Sequence, residues 1–94
     1  MSDLRFEVGA QKLEIQVVPN PFVTNPIIQI ILPHDAEVSL RVYNMMGRLV
    51  EHQEDLRMGA GNNEIMLNNI KERGIFMGVL TVNGKTHSFK MIKQ

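Results

Sequence analysis

Apolar and polar side chains alternate one by one along most of this chain, the period of a strand whose two faces meet different surroundings. The pattern is cleanest where Val38, Leu40 and Val42 alternate with Ser39, Arg41 and Tyr43. Asn44 opens a short turn there and Gly47, which accepts positive φ without steric cost, closes it. The chain leaves through Arg48-Leu49-Val50, so a hairpin is predicted, its return strand running to about Glu54. A second hairpin is set by Asn83-Gly84, since a two-residue type I′ turn needs positive φ at both positions. That turn places Val82 opposite Lys85, Leu80 opposite His87, Gly78 opposite Phe89 and Phe76 opposite Met91. Phe76, Leu80, Phe89 and Met91 then share one face, with Phe89 over the gap that Gly78 leaves. The other face, with Ile75 beside Ile92 and Met77 beside Lys90, is mixed rather than polar.

The same reading divides the rest of the chain. Leu13, Ile15 and Val17 alternate with Lys12, Glu14 and Gln16 in a strand that stops at Pro19-Asn20-Pro21, because proline cannot donate to a ladder. Phe22, between that triplet and Asn25-Pro26, is predicted to plug one end of the core. Ile27 to Leu32 is nearly all apolar, as in a central strand covered on both sides or one whose outer face meets a partner. Pro33-His34-Asp35 turns out of it. Residues 59–63 read as a flexible loop, 64–67 as a short strand with Ile65 and Leu67 inward, and 68–73 as a polar connection ending at Gly74. The sum is an all-β fold, an immunoglobulin-like antiparallel β-sandwich of about seven strands, with a five-stranded barrel as the alternative. Residues 1–11 read as a linker or N-terminal extension and residues 12–94 as the domain.

Composition narrows the function. The 94 residues suit one core, and without cysteine there is no disulfide framework and no thiol chemistry. No apolar run approaches the ~20 residues of a membrane-spanning helix. Met1 to Phe6 lacks the basic and apolar regions of a leader, so an exported parent would carry its signal elsewhere. Ten basic and ten acidic residues cancel, which argues against nucleic acid as a partner. The charges are segregated, however: residues 1–70 hold five basic and nine acidic, residues 71–94 five basic and one acidic. Such a cationic end marks a contact surface or an edge strand whose lysines block unwanted pairing.

Candidate chemistry is sparse. His34, His52 and His87 are scattered without metal-ligand spacing, and His87 and Ser88, as strand neighbours, point to opposite faces. Glu54-Asp55 and Asp35-x-Glu37 read as solvated turns, too thin in ligands for a calcium loop. No catalytic, cofactor or metal-binding residues are expected, and the chain is not expected to be an enzyme. Met66, Met77 and Met91 are expected to fill the core, whereas Met45 and Met46 in the hairpin turn either fold back or meet something else.

Five features in order give the chain a family likeness: Pro19-Asn20-Pro21-Phe22; Val42-Tyr43-Asn44 with Gly47-Arg48; a Gly59/Gly61 loop leading to Ile65-x-Leu67; Gly74-Ile75-Phe76; and Gly84-Lys85 through Lys90-Met91-Ile92-Lys93-Gln94. Over residues 13–94 it resembles the C-terminal sorting domain of the type IX secretion system of Bacteroidetes. The resemblance implies a seven-stranded immunoglobulin-like sandwich without catalytic activity, used as an address label. Cargo would reach the periplasm by an ordinary signal peptide. The domain would then direct it through the outer-membrane translocon to the outer membrane surface or the extracellular space. In most members a sortase removes the domain and joins the cargo to anionic lipopolysaccharide; some members keep it. Recognition by the machinery is implied for Gly84, Lys85, Phe89, Lys90, Met91, Ile92, Lys93 and Gln94, and a structural role for Pro19, Asn20, Pro21, Tyr43, Asn44, Gly47, Arg48, Gly74 and Phe76. Phe76 stands where the family usually has Tyr, and Gly78 falls inside a strand. The competing reading is a retained adhesion or sugar-binding module, which the absence of Trp and the single Tyr disfavour. Ile27, Ile31, Ile75, Met77, Val79 and Ile92 are expected to form an apolar face for a partner or for a second copy in a homodimer, unless Leu4, Phe6 and Val8 cover it.

Overall fold

The computed structural model describes residues 13–94, which form seven strands and no helix. In chain order they are β1 (Glu14–Val18), β2 (Ile27–Leu32), β3 (Ala36–Asn44), β4 (Leu49–Met58), β5 (Gly61–Met66), β6 (Gly74–Val82) and β7 (Lys85–Lys93). Two antiparallel sheets pack face to face, one of order β1-β2-β5 and the other of order β4-β3-β6-β7. This is the predicted sandwich and not a barrel. The reading of residues 1–11, and with it Leu4, Phe6 and Val8 as a covering strand, lies outside the described residues.

Alternation fills the core as expected. Val17, Ile28, Ile30, Leu32 and Ile65 from one sheet meet Val38, Leu40, Val42, Phe76, Leu80 and Met91 from the other, all buried. Phe22 is 1% exposed and closes one end. The Asn83-Gly84 turn has φ of +49° and +83°, and the β6/β7 register is the predicted one at every pair. A Cβ on Gly78 would fall within the ring of Phe89, so any side chain at this strand position must displace that ring. Gly47 has φ +81° and Asn44 organises its turn, its Oδ1 accepting from the N–H groups of Met46 and Arg48, both at 2.9 Å.

Several expectations need correction. β4 runs to Met58, past the predicted end at Glu54, because Leu56, Arg57 and Met58 pair with Val38, Glu37 and Ala36, and it is bulged twice against β3. Glu54-Asp55 is one of these bulges, two residues opposite Ser39 with Asp55 at φ 58°, and not a turn. The bulge at Val50 reverses the face on which later residues point, which turns Glu51 inward. The predicted loop at 59–63 shrinks to Gly59-Ala60, since β5 begins at Gly61. β2 is central but covered on one face only, with Ile31 36% exposed. Met91 is a core filler, but Met66 and Met77 are 54% and 43% exposed, each on an outer face. Met45 and Met46 stand out from their turn rather than folding back. Ile27 and Ile31 belong to the three-stranded sheet and Ile75, Met77, Val79 and Ile92 to the four-stranded one, so they cannot form a single patch.

Both open sides of the sandwich are sealed by polar contacts. On one, the carboxylate of Glu51, 5% exposed, accepts from Gln53 Nε2 at 2.9 Å and from the Asn69 N–H at 3.2 Å. Gln53 Nε2 also reaches the Met66 carbonyl at 3.3 Å and so links β4 to β5. The other seal joins residues 20–22 to the end of β7.

Candidate functional site

β7 is the edge strand of the four-stranded sheet, and the segment after β1 crosses over to it. Pro19 and Pro21 end the β1 ladder and direct the chain toward β7, where Phe22 makes a parallel bridge with Lys93. The Phe22 N–H donates to the Ile92 carbonyl at 2.9 Å, and the Gln94 N–H donates to the Phe22 carbonyl at 2.8 Å. Asn20 extends this bridge with its side chain. Its Nδ2 donates to the Lys90 carbonyl at 3.3 Å and its Oδ1 accepts from the Ile92 N–H at 3.1 Å. A side-chain amide thus stands in for a peptide unit, with donor and acceptor matched to the strand edge. The Phe22 ring in the core anchors the clasp.

Alternation then divides the terminal residues singled out from the sequence. Met91 is fully buried and Phe89 lies half-buried over Gly78, so both hold the strand down. Lys93 turns away to the carbonyl of Lys71 at 3.4 Å. Lys90, Ile92 and Gln94 remain on the outside, Lys90 and Gln94 exposed and Ile92 half-buried. Gly84 and Lys85 sit at the far end of β7, in the Asn83 turn, which is pinned to β3 by reciprocal bonds between Asn83 and Glu37 at 2.9 and 3.0 Å. The eight expected recognition residues therefore do not form one surface.

The motif residues have separate structural tasks. Asn20 and Phe22 make the clasp, and Asn44, Gly47 and Arg48 build the hairpin turn. Gly74, at φ +133°, starts β6, and Phe76 keeps its ring buried at 3% exposed. Tyr43 is half-buried on the outer face of the four-stranded sheet, opposite Met77 on β6 and Leu49 on β4. Sequence reasoning missed the contact between residues 20–22 and 90–94; the only signal was an Asn held rigidly between two prolines. Among the described residues no cluster of His, Asp and Glu could hold a metal ion.

A family model described as secretion system C-terminal sorting domain matches residues 16–94. A search of curated proteins found no match.

Proposed function

The chain belongs to the type IX secretion system C-terminal sorting domain family, and from that premise we propose that it delivers attached cargo through the outer-membrane translocon by presenting the end of β7. Members of this family are sorting signals rather than enzymes, and such a signal implies export toward the cell surface or extracellular space. The observation that carries the finer reading is the clasp: Asn20 and Phe22 hold residues 90–94 in the sheet, so Lys90, Ile92 and Gln94 point outward in a fixed order. An address label has to look the same on every cargo, and an ordered strand on a packed sandwich meets that need. Lys90, exposed on the outward side of the strand end, suits an acidic group on the receptor.

On this reading the cargo crosses the periplasm and the domain, residues 12–94, docks on the translocon. A sortase complex then acts at the surface, with anionic lipopolysaccharide as acceptor of the cargo. The test is a reporter carrying this chain at its C-terminus, expressed in a host with the type IX system. Deleting Lys90 to Gln94 should leave the reporter in the periplasm, seen by fractionation. Normal surface delivery of the truncated reporter refutes the reading.

A further inference from the structure

We infer that the machinery reads a folded, composite surface spanning β3, β4, β6 and β7, and that the receptor offers an apolar surface bearing carboxylates. This rests on the reading above that the end of β7 is recognised.

The backbone of that end is already committed. The Lys90 carbonyl, both polar groups of Ile92 and the Gln94 N–H are bonded to Asn20 and Phe22. A receptor therefore cannot take residues 90–94 by adding a strand unless it first breaks the clasp. What remains to be read is side chains on the outer face, and register decides which neighbours they have. Lys90 lies opposite Met77, Met77 opposite Tyr43, and Tyr43 opposite Leu49, a row crossing all four strands. Ile75 and Ile92 form the next pair toward the strand end. Leu49, Ile75 and Met77 are 42%, 38% and 43% exposed and stand side by side on this face.

The chemistry of the patch defines its partner. Met77 at its centre is unbranched and polarizable, suited to conforming to another apolar surface. Lys90 at its margin has no carboxylate within ion-pair distance among the described residues. The next row is mostly polar: His52, Arg41 and Ser88 flank Val79, and Arg41 pairs with Glu54 at 3.2 Å, with His52 beside them, which forms a polar border. The outer face of the other sheet also has an apolar row, Val18, Ile27 and Met66, but its middle row is Gln16, Gln29 and Glu64 and its described strand residues include no lysine or arginine, so it lacks the cation beside the apolar centre. An apolar centre, one free cation and a polar rim is the anatomy of a protein docking site, which argues for a receptor with an apolar surface and an opposing carboxylate.

The test uses the full chain on the secreted reporter, with four variants compared in parallel. Met77→Asp and Ile75→Ser should each lower surface delivery about tenfold or more, the loss of one hot-spot contact. Gln29→Asp, on the outer face of the opposite sheet, should leave delivery unchanged. Purified Met77→Asp and Ile75→Ser chains should keep their thermal transitions. Normal delivery of both Met77→Asp and Ile75→Ser, while deletion of Lys90–Gln94 still blocks it, overturns the composite surface and leaves the proposed function standing. Normal delivery of the deletion refutes the proposed function itself. Should Met77→Asp unfold, the milder Ile75→Ser decides; if that also unfolds, both side chains are structural and the inference fails.

Discussion

At the scale of single residues, the most demanding positions are two glycines and one glutamate. Gly47→Val forces a β-branched side chain into positive φ, at a cost of about 1–3 kcal/mol. The midpoint of thermal unfolding should fall by roughly 4–8 °C per kcal/mol in a domain of this size, measurable by calorimetry. Gly78→Ala acts through packing instead, because the new methyl group must displace the ring of Phe89. Phe89 is only half-buried and can swing outward, so the expected loss is at the lower end of the ~1–3 kcal/mol of an overpacked site. Both glycines were legible in the sequence, one from turn chemistry and one from hairpin register. Glu51 was not. Its burial depends on the extra residue at Val50, and a bulge reverses the face of every residue after it without leaving a mark in composition. Met66 and Met77 were misread for a related reason: methionine in a strand says apolar, but only the sheet's position says which face is covered.

At the scale of elements, hairpins were legible and long-range seals were not. The β6/β7 register followed from two turn residues because the pairing is local. The clasp joins Asn20 to Lys90 and Ile92 across some seventy residues, and no local pattern reports such a contact. The same limit explains why the terminal recognition residues were grouped together although alternation sends Phe89 and Met91 inward and Lys90 and Ile92 outward. Asn20→Ala removes two hydrogen bonds at the edge of β7, each contributing about 0.5–1.5 kcal/mol. The amide hydrogen of Ile92 should then exchange with solvent faster, while that of Leu80 in the central strand β6 changes only with global stability. Unchanged exchange at Ile92 would show that Phe22 alone holds the strand.

At the scale of the whole molecule, one core carries two sheets, and Phe22 closes the end where the clasp is made. Phe22→Ala should cost about 3–5 kcal/mol, a large part of the stability of a domain this small, and lower the denaturant midpoint accordingly. The architecture was legible because strand count, turn spacing and absence of helical period all pointed to one fold. The division of apolar residues between opposite outer faces was hidden until the strand order was known.

The clasp also has a mechanical meaning. Residues 20–22 and 90–94 run parallel, so tension applied to the chain before Glu14 and after Lys93 pulls these two segments along their length in opposite directions. Their hydrogen bonds are then strained together in shear, not peeled apart one after another. A domain towed from one end with a cargo behind the other would load this contact together with the β1 ladder that precedes it. In single-molecule stretching between the two ends, the Asn20→Ala chain should yield at a lower force than the unaltered one.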